Sequence, residues 1–171
     1  NVQVSQDGGT SWQEVAGLIP DLPEGTYVSR VQASYHADTR VYATMDGHRS
    51  DDYSVYVYVS EDSGDSWRSL ASNIPDGHTM NVIREHPRNE NLLVLGGEFG
   101  TYITINRGGE WHQIKGAVPT VPVDDIAIHS RDNDLILGTH GRSIWVLDDM
   151  TPLEKLSEGV LASNLHLFDV R

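Results

Sequence analysis

Ser60-Glu61-Asp62-Ser63-Gly64-Asp65-Ser66-Trp67 has two near-copies in the same chain, Ser5-Gln6-Asp7-Gly8-Gly9-Thr10-Ser11-Trp12 and Thr104-Ile105-Asn106-Arg107-Gly108-Gly109-Glu110-Trp111. The three align without gaps, and their tryptophans are 55 and 44 residues apart by number. Each tryptophan is followed eight residues later by a proline (Pro20, Pro75, Pro119). Each proline leads into a strand-like run that ends at a histidine (His36, His86, His129). A second apolar run follows each histidine: 40–44, 92–95 and 134–137. A period of this length is the mark of a repeat architecture.

Each unit reads as four short strands, placed in the second repeat at Met80–Arg84, Leu92–Leu95, Thr101–Ile105 and Trp111–Ile114. Val55-Tyr56-Val57-Tyr58-Val59 and Tyr102-Ile103-Thr104-Ile105 carry the period of two expected of strands. The Asp/Asn-x-Gly core of each copy is turn chemistry. A short acid or amide bonds nearby backbone N–H groups, and glycine accepts positive φ. The following tryptophan is expected to cover the turn and pack between neighbouring sheets. Four strands per unit at this spacing predict blades of a β-propeller.

The pattern Ser-x-Asp-x-Gly-x-Thr/Ser-Trp resembles the Asp box, or BNR repeat, of sialidase-type, xyloglucanase-type and sortilin-type propellers and of a photosystem assembly factor. The turn residues concerned are Asp7, Gly9 and Trp12, then Asp62, Gly64 and Trp67, then Asn106, Gly108 and Trp111. The third copy departs from the pattern at Thr104, Asn106 and Glu110. The stretch Leu137-Gly138-Thr139-His140-Gly141-Arg142-Ser143-Ile144-Trp145-Val146-Leu147-Asp148-Asp149 resembles the last blade of bacterial sortilin-like BNR proteins. Their Asp-Asp-x-Thr-Pro-Leu-x-x-Leu segment is matched by Asp148–Leu156. The resemblance covers about residues 2–156. It implies an extracytoplasmic setting, periplasmic or secreted, and puts the Asp boxes on the face opposite the ligand entrance.

The expected fold is therefore all-β: a partial β-propeller of about three four-stranded blades with Asp-box turns, followed by a short C-terminal helix and tail. The blades occupy residues 1–149 and the helix and tail 150–171. The chain opens on a third strand at Val2–Ser5 and begins at Asn1 without a leader, which reads as a removed signal or a piece of something longer. A propeller closes with typically about four to eight blades, so missing blades or partner subunits are expected to complete it. Thr151 is expected as N-cap, Pro152 as N1 and Glu154 as N3 of a capping box. The apolar tail 160–171 is expected to dock on the propeller or on another subunit.

Composition excludes several classes. With 25 Asp+Glu against 12 Lys+Arg, the net charge of −13 argues against a nucleic-acid partner. The absence of cysteine excludes disulfides and thiolate metal sites. No apolar run reaches the roughly 20 residues of a membrane span. The acidic turns do not have the EF-hand spacing, and no metal ligand set and no cofactor is assigned. A Gly-x-Ser-x-Gly nucleophile elbow is missing.

A role repeated in each blade suits structure better than catalysis, so the Asp-box aspartates and the three repeat histidines are read as turn or packing residues. Ligand-binding candidates lie on the opposite rim, where equivalent positions differ: Asp46, Glu98 and His140 just past the second strands, with His48, Arg142 and Asp125 nearby. His78, Asp76 and Asp124 share that rim, and an extra loop spans His48–Ser54. The same residues would also suit solvated turns. No catalytic residue is assigned. Two functions follow: a non-catalytic segment mediating protein–protein interaction in a larger assembly, or part of a carbohydrate-active propeller in which Asp46 and Glu98 supply acid/base or binding groups.

Overall fold

The computed structural model describes residues 2–116 and 118–168. Four antiparallel sheets follow one another along the chain. The first has two strands, β1 (Gln3–Val4) and β2 (Gln13–Glu14). The second has β3 (Tyr27–Ala33), β4 (Val41–Asp46), β5 (Tyr56–Ser60) and β6 (Arg68–Ser69) in sequential order. The third repeats it with β7 (Met80–His86), β8 (Asn89–Gly97), β9 (Gly100–Thr104) and β10 (His112–Gln113). The fourth stops at three strands, β11 (Val123–Ile128), β12 (Leu135–Thr139) and β13 (Ile144–Leu147). The predicted outer strand of the third sheet shrinks to two residues, and its second strand lengthens to nine.

The core is not one cluster but three, each sandwiched between consecutive sheets. Tyr56 and Tyr58 face Val2, Val15 and Ile19 of the first sheet, whereas the alternating Val57 and Val59 face Met80, Ile83 and Leu95 of the third. Leu93 and Leu95 belong to that second cluster, whereas Leu92 and Val94 meet Val123, Ile126 and Leu137 of the fourth sheet. This explains why the strands read as nearly continuous apolar runs: both faces are covered.

Each sheet is also fastened to the next by repeated polar staples. The first strands β3, β7 and β11 slip register at equivalent places, at Ser29, Asn81 and Asp124. The displaced side chain then reaches the next sheet: Ser29 Oγ donates to the Met80 carbonyl (3.2 Å) and Asn81 Nδ2 to the Val123 carbonyl (3.3 Å). The repeat histidines do likewise. His36 Nε2 donates to the His86 carbonyl (2.9 Å), and His86 Nε2 lies 2.9 Å from Asn133 Oδ1. His86 Nδ1 accepts from the Arg88 amide (3.2 Å), which fixes a neutral imidazole with its proton on Nε2.

Between the third and fourth strands the chain makes the Asp/Asn-x-Gly turn. Ser60 Oγ donates to Asp62 Oδ1 (2.8 Å) and accepts from the Gly64 amide (2.8 Å), while Asp62 accepts the Ser66 amide (2.8 Å). Asn106 replaces the carboxylate in the third sheet and still accepts from Glu110 N (2.9 Å). Gly108 sits at φ +84°, and a Cβ there would come within 2.9 Å of Leu70 in the preceding sheet, so this turn needs glycine for space as well as conformation. Trp67 and Trp111 are buried between sheets, as the sequence predicts, but Trp12 is 62% exposed. Both buried tryptophans pack back on the preceding sheet. Trp12 belongs to the first sheet and has no earlier one among the described residues.

After β13 the chain leaves as α1 (Thr151–Glu154) and α2 (Glu158–Leu161). The capping box predicted for α1 does not form. Met150 is the N-cap and Thr151 the first helical residue, because Glu154 turns away to Arg88 (2.8 and 3.1 Å) and Asn133 (2.8 Å). Met150 is fully buried in the third cluster. In the described part of the tail, Leu165 and Leu167 do not dock on the sheets: they are 78% and 82% exposed. Asn1 and the last three tail residues, 169–171, lie outside the described residues.

The staples set a pH dependence. Burial holds the His86 imidazole below its ordinary 6.5, against the Asn133 hydrogen bond. Its neutral form is the native one, so its contribution is complete above pH 6.5 and is lost as the pH falls, when the unfolded chain takes up a proton first. Glu90 and Glu154 are lowered by their hydrogen bonds to Arg40 and Arg88 respectively; their contribution is lost below pH 4.5. The stability gap between the native chain and His86→Gln, read from urea midpoints, should therefore narrow from about pH 6.5 downward. A gap constant from pH 8 to 5 would show that His86 titrates alike folded and unfolded.

Candidate functional site

In an antiparallel sheet the second-to-third connections lie at the opposite end from the third-to-fourth turns. The Asp7 and Asp62 turns therefore share one end, and Asp46 and Glu98 mark the other. At the first end the Ser11 amide (2.9 Å) and hydroxyl (2.7 Å) hold the Asp7 carboxyl down to about 2. The Ser66 hydroxyl lowers Asp62 in the same way. A carboxyl so held is ionised at neutral pH and cannot serve as a general acid.

At the other end β4 stops at Asp46, whose carboxylate accepts the His48 amide (2.9 Å) and contacts His48 Nδ1. Asp46 is nearly buried, and the His48 ring is half exposed. The loop then returns to β5 around Asp52, which accepts from the Ser54 amide (3.0 Å) and the Tyr56 hydroxyl (2.7 Å). His48 and Tyr53 of this loop face Gly77, Thr79, Glu98 and Phe99 of the third sheet across a cavity of about 300 Å³. His78 packs on Phe99 (ring centres 4.8 Å apart), and its Nδ1 lies 2.6 Å from the Tyr102 hydroxyl.

The six ligand-binding candidates do not converge. His48 and Glu98 line this cavity, and Asp46 stands behind His48, outside the lining. Asp125 lies among the first strands, where its Oδ1 accepts from Arg30 (2.8 Å) and Arg84 (2.9 Å) and from its neighbour's amide, Ile126 N (2.9 Å). Strand registers make Arg30 and Asp125 equivalent positions two sheets apart. His140 stands on the last sheet with its Nδ1 3.4 Å from Asp124, and Arg142 is exposed beside it, its carbonyl accepting from Trp145 Nε1 (3.0 Å). Sequence reasoning did not single out Tyr53, Thr79 or Phe99. The signals were the extra loop, and the Gly-Gly-Glu-Phe-Gly turn that holds Glu98 and Phe99 out from the sheet.

His129, Asp132 and Asp134 bring ligand atoms within 4.8 Å of one another. Each already has protein company: Asp132 bonds Arg131 (2.8 Å) and His129 (3.1 Å), and Asp134 accepts from the Asp149 amide (3.0 Å). They read as the turn before β12.

No protein-family model and no curated protein sequence matches the chain. Solved structures do. The GH74 xyloglucanase from Xanthomonas campestris superposes over 87% of the chain with a TM-score of 0.65 at 17% identity. An ancestral GH74 enzyme covers 69% with a TM-score of 0.54 at 23% identity. YCF48 bound to a D1 peptide covers 84% with a TM-score of 0.56 at 14% identity. The chain spans 24%, 14% and 42% of those three chains, respectively. At these identities the likeness defines the fold alone: a partial β-propeller, with two four-stranded blades between a two-stranded and a three-stranded one.

Proposed function

We propose that this chain is a non-catalytic propeller segment that mediates protein–protein interaction within a larger extracytoplasmic assembly, completed by further blades or partner subunits. The observation that carries the reading is the last sheet. Among the described residues its outer strand β13 leaves one edge unpaired, and Ile144, Trp145 and Val146 are all exposed, Ile144 at 66%. Unpaired edges and contiguous exposed apolar residues are what native chains cover with another element or another protein. The exposed leucines of the tail, Leu161, Leu165 and Leu167, are further uncovered apolar side chains. The turns belong to the Asp-box type, as in sortilin-like BNR proteins. Residues 1–149 act as the blades, and the segment 150–171, anchored to them by Met150 and Glu154, carries the exposed leucines to a partner. YCF48, which binds a D1 peptide, illustrates a propeller of this kind at work on a polypeptide.

The alternative is a fragment of a carbohydrate-active propeller enzyme. It would use Asp46 and Glu98 as acid/base or binding groups, and of the two Glu98 lines the cavity while Asp46 is held behind His48; glycoside hydrolysis needs two carboxylates about 5–9.5 Å apart. The native mass of the isolated species decides first. A mass exceeding one chain, carried by other polypeptides or by further copies, is expected. A cooperative monomer that no partner enlarges would overturn the assembly reading.

A further inference from the structure

The cavity at the end of β4 and β8 has a chemical character that points to a class of ligand. Its walls combine two aromatic rings, Tyr53 and Phe99, each about half exposed, with a carboxylate, Glu98. Among the described residues no side chain bonds the Glu98 carboxylate, and its position is set by the backbone alone, through Glu98 N donating to the Thr79 carbonyl (3.0 Å). The surroundings are negative: Asp46 stands behind His48, Asp51 and Asp52 follow in the loop, and Asp76 precedes Gly77. The nearby cation, Arg49, lies over the Tyr27 ring 5.2 Å from its centre, and it is not among the residues lining the cavity.

We propose that this cavity captures a lysine or arginine side chain of a basic peptide, with Phe99 and Tyr53 against the aliphatic stem and Glu98 as the counter-ion. The assignment rests on the protein-interaction reading and names the chemistry of the partner. Aromatic faces attract cations, and long basic side chains bury their stems on apolar walls while keeping the charge at a polar group. The net charge of −13 attracts basic partners over the whole surface, and the cavity would select among them. A space of about 300 Å³ accommodates one long side chain, whereas an oligosaccharide chain needs a cleft extended over several rings. The His78 ring, packed on Phe99 and fixed by Tyr102, keeps the aromatic wall in place.

The test is amide chemical-shift titration of the labelled full chain with acetyl-Gly-Arg-Gly-amide, its lysine counterpart, its neutral citrulline counterpart and cellotetraose. The cationic peptides are expected to shift the amides of Gly77, Thr79 and Phe99 in a saturable way. Glu98→Gln should weaken them about three- to tenfold, and Phe99→Ala by a similar factor, without altering the melting temperature by more than a degree or two. Equal binding of the arginine and citrulline peptides would overturn the counter-ion role of Glu98 and with it the proposal. So would shifts with cellotetraose alone, which would instead support the carbohydrate reading. The native mass of the same sample separates the two levels: an oligomer or complex without peptide-induced shifts loses the cavity assignment and keeps the assembly.

Discussion

Glu85→Ala is expected to cost about 3 kcal/mol of folding stability, because it strips a buried carboxylate from groups that have no other place to turn. Glu85 lies on β7 with its side chain wholly buried, yet every partner it has belongs to the preceding blade. It accepts the Ser34 hydroxyl (2.8 and 3.0 Å to its two oxygens), the Tyr35 amide (2.6 Å) and the Tyr42 hydroxyl (2.9 Å), with the Arg40 guanidinium at 3.5 Å. Burial, and then the Glu85 charge, push the Tyr42 phenol upward, so the hydroxyl stays a donor at any accessible pH. Removing the carboxylate leaves that donor, one amide and one hydroxyl unpaired inside a low-dielectric seam.

Arg40 moderates the loss, since it keeps Glu61 (2.7 Å) and Glu90 (3.0 Å). A drop of about 3 kcal/mol corresponds to about 6–12 °C in melting temperature for a chain of this size. Glu85→Gln preserves shape and one acceptor and should lose about half as much. Tyr42→Phe should lose about 1 kcal/mol alone and less when combined with Glu85→Gln. Calorimetry of the four proteins checks the scheme. A loss below about 1 kcal/mol for Glu85→Ala would mean that water replaces the carboxylate and that the seam is wetter than its burial implies.

The seam marks where sequence reading reaches its end. The repeat was legible because turn chemistry is local: Ser60, Asp62, Gly64 and Trp67 need only each other, so their spacing is fixed. The contacts between blades are not local. Glu85 meets Tyr42 43 residues away, and His36 meets His86 50 residues away. The number of residues between two such partners changes with every loop insertion, as the unequal tryptophan spacing already shows. The histidines were visible as a recurrence, and the reading of a shared turn or packing role was right in kind. Their staple function required knowing which carbonyl the next blade presents.

Asp125 illustrates the same limit from the other side. Its place at the entry to the fourth sheet, on the same rim as Asp46 and Glu98, makes it read as a rim ligand, but its partners, Arg30 and Arg84, are inside the chain. For His48 and Glu98, one extra loop and one glycine-rich turn point to the cavity that both line. The aromatic wall of that cavity is invisible to spacing, because Tyr53 and Phe99 come from loops of different blades and nothing in either loop refers to the other.

Trp111→Ala and Trp12→Ala should differ sharply although the two tryptophans hold the same place in their motifs. Trp111 is 3% exposed, packed among residues that include Leu70 and Ile74 of the preceding blade, and its Nε1 donates to the Leu70 carbonyl (2.8 Å). Truncation opens a cavity between blades and orphans a carbonyl, for an expected loss of about 3–5 kcal/mol. Trp12 is 62% exposed and donates within its own turn, to the Gly9 carbonyl (3.1 Å). It buries little, so its truncation should cost the isolated chain less than about 1 kcal/mol. Urea midpoints at a chain concentration low enough to keep copies apart give both values. The comparison also bears on assembly. Trp67 and Trp111 face the blade before them, so the surface that Trp12 presents is one that a preceding blade or a partner would cover. If Trp12→Ala leaves the dilute chain unchanged but weakens it in its native complex, Trp12 lies in the contact. Should Trp12→Ala destabilise the dilute chain as much as Trp111→Ala, the exposed position of its ring would be wrong, and with it the expectation that this end of the stack is open to a partner.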